Sequence, residues 1–270
     1  MRNEIYVLCQ TYLFHGIRVF EDQHPFRLQK KIHLKDDDLS SDIGSSENEN
    51  CVYVSYLLET CVWKVVRKTN GKYKITKWLV IDYQPLTLSV LSNGHLLIVG
   101  DSLSKLMIYG LDAEFIRSIQ LERDIEHPMH AVETSVGNFV ILHRWLEEGK
   151  QKSESNGKEK VIKWGIYEQT RDGQVVNRRF VPAFEKQRLI CPEYLSLDSD
   201  DRVFVADKGN GNNGRVILLD SDLKWNQIIL CPTKELEEVQ WPPKLCYDDE
   251  NKQLIVGGGF RVNVYTLCRK

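Results

Sequence analysis

The chain has no run of eighteen apolar residues, so it contains no segment able to cross a membrane as a helix. It has no excess charge of either sign: 36 basic residues face 38 acidic ones, for a net charge of −2. That balance gives no global attraction to nucleic acid or to an anionic membrane surface. It has no Cys-x-x-Cys pair, which excludes the usual zinc ribbons and dithiol redox motifs. Its seven cysteines (Cys9, Cys51, Cys61, Cys191, Cys231, Cys246 and Cys268) are odd in number and mostly sit at strand ends among apolar neighbours. There a free thiol behaves as a small hydrophobe, and reduced cysteines in a cytoplasmic compartment are expected. No Gly-x-Ser-x-Gly elbow, His-Glu-x-x-His pair or Gly-rich phosphate loop occurs. The first ten residues, MRNEIYVLCQ, read as a strand rather than a signal peptide.

What is present is repetition. From Pro85 the chain reads PLTLSVLSNGHLLIVG, from Pro128 PMHAVETSVGNFVILH, from Pro192 PEYLSLDSDDRVFVAD and from Pro243 PKLCYDDENKQLIVGG. Each copy is a Pro, a short apolar strand, a polar or Gly turn and a second apolar strand at a fixed offset. A period of about 40–50 residues built of short strands is the mark of a β-propeller. Further strands follow each copy, such as 105–111 and 115–121, or 215–221 and 225–230. They are apolar on alternate and on adjacent positions, as strands sandwiched between neighbouring sheets must be. The expectation is an all-β, six-bladed propeller of four-stranded antiparallel blades with the first and last blades incomplete. Its units run over about 1–36, 37–82, 83–124, 125–185, 186–236 and 237–270. In the second unit Ser41 takes the place of the Pro, and residues 146–160 read as an inserted solvated loop.

The fifth unit, CPEYLSLDSDDRVFVADKGNGNNGRVILLDSD, resembles the NHL-repeat propellers. The resemblance rests on Pro192, the Asp200–Asp201 turn, Val205-Ala206-Asp207, the Asn-rich stretch 210–213 and Arg215-Val216. It implies that Asp207, ending one strand, pairs with Arg215, opening the next, and clamps the hairpin. The third unit offers Asp101 and Lys105 for that pair, and the sixth has Gly257 where the Asp would stand. Such propellers often close tripartite-motif ubiquitin ligases, but no RING or B-box ladder of Cys and His is found here. The family's Asn-His-Leu triplet is also absent.

Function is expected at the loops joining second to third strands and fourth to first strands, which share one face. Aromatic and Arg residues there, Tyr12, Phe14, His15, Tyr56, Arg144, Trp145 and Phe260, are the candidate protein contacts, because such side chains dominate binding hot spots. The loops from fourth to first strands sum to −6, which disfavours RNA and favours a basic or polar protein partner. The main expectation is a non-catalytic protein-interaction module without cofactor. The alternatives are a propeller for single-stranded RNA and a metal-dependent hydrolase or lyase. The metal candidates are His127 and His130; three ligands from different blades would be needed, and the matching strand starts offer Gln84, Cys191, Glu193 and Pro242 but no further His.

Overall fold

The computed structural model describes residues 4–11, 14–21, 28–34, 40–46, 49–56, 59–148, 160–180, 189–209, 214–230, 244–258 and 261–267. These hold 22 strands in six antiparallel sheets, each built from strands consecutive in the sequence. The first sheet comprises β1 (Glu4–Thr11), β2 (Phe14–Glu21) and β3 (Leu28–His33). The second comprises β4 (Ser40–Ser46), β5 (Cys51–Tyr56), β6 (Cys61–Arg67) and β7 (Tyr73–Val80). The third holds β8 (Pro85–Val90), β9 (Leu96–Gly100), β10 (Lys105–Tyr109) and β11 (Phe115–Gln120). The fourth holds β12 (Pro128–Glu133), β13 (Phe139–Glu148), β14 (Lys160–Gln169) and β15 (Val175–Phe180). The fifth holds β16 (Pro192–Leu197), β17 (Val203–Asp207), β18 (Arg215–Leu219) and β19 (Trp225–Leu230). The last has β20 (Lys244–Asp248), β21 (Gln253–Gly258) and β22 (Arg261–Thr266).

The sheets stack face to face around an axis. β4 packs on β8, β8 on β12, β12 on β16 and β16 on β20, each the first strand of a sheet. This radial order is that of a propeller with four-stranded antiparallel blades. The first sheet joins differently. Its β1 lies against β4 as β9 lies against β12 and β13 against β16, so β1 holds the second place in its sheet. Among the described residues the first sheet therefore has no innermost strand. Five strands surround the axis (β4, β8, β12, β16 and β20), and the expected six-bladed ring is corrected to five. The sequence already shows the first unit as incomplete, and the repeat period still counts it as a blade, although among the described residues it contributes no strand at the axis.

Sheet-on-sheet burial holds the wheel together. Ile17, Val19, Ile32 and Leu34 of the first sheet pack on Val52, Val54, Tyr56 and Val65 of the second. Cys51, Tyr53 and Val62 meet Leu88, Leu96 and Ile98 of the third sheet. Leu97, Val99 and Ile108 then meet Ala131, Phe139 and Ile141 of the fourth. Val140, Leu142 and Ile166 meet Leu195, Val203 and Val205, and Phe204, Ala206 and Leu218 meet Leu245, Leu254 and Val256. Each blade thus buries alternate residues forward, toward the next blade, and backward, which is why β9 and β17 are buried at every position. A fully buried Leu, Ile or Phe contributes about 1.5–3 kcal/mol. Among the described residues Cys51, Cys61, Cys191 and Cys246 are free.

The turns follow the side chains available. Asp198 Oδ1 accepts the N–H groups of Asp200 and Arg202, and Asp220 does the same for Asp222 and Lys224. The fourth blade departs from the expected loop at 146–160. β13 and β14 stay paired out to Glu148↔Lys160, because Leu146↔Ile162 and Glu147↔Val161 continue the alternation. The segment 149–159 lies outside the described residues. No helix among the described residues is long and apolar enough to cross a membrane.

Candidate functional site

The axis is lined by one equivalent residue from each innermost strand: Asp42, Thr87, His130, Tyr194 and Lys244. The pairing fixes this equivalence. Asp42, Thr87, His130 and Tyr194 each follow a bulge in the register with the second strand. Lys244 precedes Leu245, which packs backward as Leu195 does. Each side chain reaches toward the next strand. Asp42 Oδ2 accepts Leu88 N–H at 2.8 Å, Thr87 Oγ1 donates to the Met129 carbonyl at 2.8 Å, and His130 Nδ1 accepts Leu195 N–H at 3.3 Å. The Tyr194 ring carries the Lys244 ammonium 4.4 Å from its centroid, and Lys244 Nζ closes the circle on Asp42 Oδ1 at 2.9 Å. The Tyr194 hydroxyl also reaches Asp42 Oδ2 at 3.5 Å, and its ring stacks on His130 at 3.8 Å.

The ring is polar, and three of its members are buried: Asp42 is 0%, His130 1% and Thr87 8% exposed, while Tyr194 and Lys244 are half-buried. Burial, aided by the Lys244 charge, holds the His130 pKa well below the usual histidine value. With Nδ1 accepting, its proton sits on Nε2, which has no hydrogen-bond partner among the described residues. The Asp42 and Lys244 charges are matched within it, so the arrangement stitches the strands together. A second stitch lies one layer along, where Ser89 Oγ donates to the Ala131 carbonyl and Ser196 Oγ accepts Tyr247 N–H.

At the loop face, the residue ending the second strand anchors the chain that enters the blade. In the fifth blade this is Asp207, 0% exposed. Its carboxylate accepts from Ile190, Cys191 and Gly209 N–H and takes Arg215 Nε and Nη2 at 3.0 and 2.9 Å. The clamp drawn from the family resemblance is therefore present as an ion pair, and it also ties down the incoming loop. Asp101 and Lys105 form no such pair among the described residues. The equivalent of Asp207 in the last sheet is Gly258 rather than Gly257, because its turn is one residue longer. In the fourth blade the place belongs to His143, whose Nδ1–H donates to the Glu126 carbonyl at 3.3 Å. Its ring lies between Trp145, stacked at 5.1 Å, and Tyr167, edge-on at 4.7 Å. Burial pushes the His143 pKa down to about 4, against the opposing pull of the Glu126 carbonyl and Asp124.

Beyond His143 the paired strands of the fourth blade project as an arm. Trp145 and Arg144 are half-buried at its base, on opposite faces of β13 rather than on a loop. Leu146 and Ile162 face each other across the two strands and are 51% and 46% exposed. Lys163 pairs with Glu147 at 3.3 Å. Beside the arm's base, Arg178 bridges Glu122 and Asp124, and its guanidinium lies over Tyr167.

The remaining sequence candidates scatter. Tyr56 is 1% exposed and packs edge-on against Trp63, because it too ends a second strand; it belongs to the core, not to the binding face. Phe14 and His15 lie within β2, paired with Thr11 and Gln10, instead of on a loop. Tyr12 and Phe260 lie outside the described residues. His127 is exposed at a φ of 38°, while His130 is sealed in the axial ring, so the two do not converge. Among the described residues no three His, Cys, Asp or Glu side chains are grouped as a metal site. Asp42, Tyr194, Lys244 and His143 went unseen in the sequence.

No family model matches the chain, and no curated protein matches it. Solved structures do. A hydrazine synthase chain from Kuenenia stuttgartiensis superposes with a TM-score of 0.62 at 12% identity, over 94% of this chain and 90% of that one. A gluconolactonase from Xanthomonas campestris gives 0.58 at 13% identity, over 84% and 72%. A chain of a nidogen/laminin complex gives 0.59 at 12% identity, over 96% and 86%. At such identities the likeness speaks for architecture alone: the chain is a β-propeller.

Proposed function

We propose that this propeller is a non-catalytic protein-interaction module of NHL type, acting in the cytoplasm. The observation that carries the reading is the arm of the fourth blade. Its strands are ten residues long where the second and third strands of the third and fifth blades have five. The extra length displays an apolar cross-strand pair, Leu146 and Ile162, to solvent instead of burying it. Exposed apolar surface on a rigid projecting element, rimmed by charge, is what a docking site requires. Trp145 at its base, held by the His143 stack, supplies an aromatic anchor. Glu122, Asp124 and Glu126 beside it favour a basic or polar partner over RNA phosphate.

The test is capture from a cell extract by the protein and by a Leu146→Asp, Ile162→Asp double variant of equal thermal stability. Loss of specific partners with the variant supports the arm; an unchanged set of captured proteins removes it. One neighbour of the same fold is named a gluconolactonase, and a hydrolase is the competing reading. Turnover of simple lactones by the purified protein, abolished by no arm mutation, would favour that reading instead.

A further inference from the structure

Opposite the arm, at the end of the fourth blade where β13 begins, three turns enclose a cleft of about 320 Å3. One turn joins β8 to β9 at Ser92, one joins β12 to β13 at 135–138, and one joins β14 to β15 at 170–172. All three turns lie among the described residues. A volume of this size falls at the lower end of the range for small-ligand sites, roughly 300–1,000 Å3.

The cleft is built around Arg171. Gly137, at a φ of 82°, has no side chain, and a Cβ there would lie 2.7 Å from Arg171 Nη2 and 3.0 Å from its Cζ. The guanidinium thus lies against this turn in space that only glycine leaves open. Its Nε donates to the Gly137 carbonyl at 2.9 Å and its Nη2 to Glu133 Oε1 at 2.7 Å. The Glu133 side chain is 5% exposed, and its Oε2 accepts Ser92 N–H at 2.7 Å, which ties the turn of the third blade to that of the fourth. One fork of the guanidinium, Nε with Nη2, is therefore engaged inside the protein. The other, Nη1 with the second Nη2 hydrogen, has no partner among the described residues, and the Arg171 side chain is 50% exposed. A guanidinium fixed on one fork presents the other preformed. The matching turns of the second, third and fifth blades have Thr69, Leu111 and Ser221 at this place, so the cation belongs to this blade and not to the propeller frame.

The charges around the cleft decide what it accepts. Arg171 is balanced by Glu133. Asp172 is exposed on the wall, and Asp201 of the fifth blade lies at the rim, where it accepts Ser135 N–H at 2.7 Å and Ser135 Oγ–H at 2.5 Å. An anion that reaches the free fork meets these two carboxylates, and a cation that reaches Asp172 meets the fork. A hydroxyl suits both, since it accepts through its lone pairs and donates its proton. Asn138, whose amide nitrogen is held by Glu168 at 2.8 Å, offers its oxygen as a further acceptor, and Val136, 76% exposed, forms an apolar lip. We propose that the cleft is a binding site for a neutral saccharide, one hydroxyl of a vicinal pair accepting from the outer fork of Arg171 and its neighbour donating to the Asp172 carboxylate. The inference uses a different surface from the arm and stands without it.

The probes are the methyl glycosides of glucose, mannose and galactose, titrated into the isotopically labelled full chain and followed by amide NMR shifts. Glucuronate, glucosamine and cyclohexanol serve as the anionic, cationic and singly hydroxylated controls. The expected result is saturable shifts at Ser92, at 135–138 and at 170–172 with at least one glycoside, and a severalfold weaker response, or none, to the controls. Asp172→Asn removes the charge that takes the second hydroxyl. Arg171→Lys keeps a cation beside Glu133 but has no second fork. Each should weaken binding severalfold while the remaining amide signals stay in place. Absence of a saturable shift with every glycoside would overturn the proposal. So would shifts centred on another surface, binding of glucuronate or glucosamine as tight as that of the neutral glycosides, equal binding of cyclohexanol, or wild-type affinity in both variants.

Discussion

The Lys244 ammonium stands 2.9 Å from Asp42, 202 residues away in sequence, and this ion pair joins the last blade to the second. It is asymmetric: the Asp42 side chain is 0% exposed and that of Lys244 42%. The lysine keeps part of its hydration while the carboxylate has exchanged water for Lys244, Leu88 N–H and the Tyr194 hydroxyl. Such a pair should matter more to Asp42 than to Lys244.

Replacing Lys244 by Met strands a buried carboxylate, and the expected loss is about 2–4 kcal/mol. The Asp42→Asn, Lys244→Met double variant should recover most of it, because a neutral amide can still accept Leu88 N–H. Urea denaturation of the two singles and the double gives the coupling. Additive losses would mean that the contact does not hold the seam.

Asp207 illustrates how much of this architecture could be seen in the sequence. The Pro-to-strand repeat was legible from its fixed spacing, and the Asp207–Arg215 clamp from the resemblance of the fifth unit to the NHL repeats. The axial ring was not, although it too has a spacing: Thr87, His130 and Tyr194 stand two places after Pro85, Pro128 and Pro192, and Lys244 two after Pro242. The column reads Asp, Thr, His, Tyr, Lys, so no chemical type repeats, and only the shared geometry unites it. Alignment on Pro243 instead of Pro242 hid the last member, and taking Ser41 instead of Ser40 as the Pro substitute hid the first. The blade count failed for a related reason. Periodicity counts sheets, while the axis counts innermost strands, and the first sheet supplies none. Aromatic residues at strand ends misled in the same way. Tyr56 and Trp145 look alike in sequence, but one ends a strand of ordinary length and is buried, while the other lies where β13 overruns its neighbours.

Asp207→Ala should be among the most damaging single changes. It leaves the Ile190, Cys191 and Gly209 N–H groups and the Arg215 guanidinium without their acceptor. The expected cost is about 3–5 kcal/mol, in the range for breaking a buried pair. Arg215→Ala removes a cation that is 11% exposed and keeps the backbone bonds, so it should cost less. Thermal denaturation of both variants decides the order, and equal losses would assign the energy to the ion pair alone.

Gly165→Ala tests the packing beneath the arm. A Cβ there would lie 2.5 Å from His143 Nε2 and 3.2 Å from Trp145 Cζ3. The His143–Trp145 stack must then shift, at an expected cost of about 1–3 kcal/mol. Adding His143→Ala should relieve the clash, so the double variant is expected to be no less stable than His143→Ala alone. A Gly165→Ala protein with unchanged melting temperature would show that the stack is loose and Trp145 not held.

Acid should weaken the fold through its buried histidines. His130 and His143 both have folded pKa values below the ordinary 6.5, chiefly through desolvation. The unfolded chain therefore binds protons that the folded chain refuses, and stability falls as pH drops below about 6.5. For each histidine the slope approaches about 1.4 kcal/mol per pH unit while the folded ring stays neutral. For His143 the loss ends near pH 4, where the folded ring itself protonates. For His130 burial is joined by the Lys244 charge, which acts in the same direction. Denaturation midpoints of the wild type and of His143→Gln, measured from pH 7.5 down to pH 4, should diverge in slope by roughly one proton. Parallel curves would mean that His143 titrates normally and that its ring is open to water.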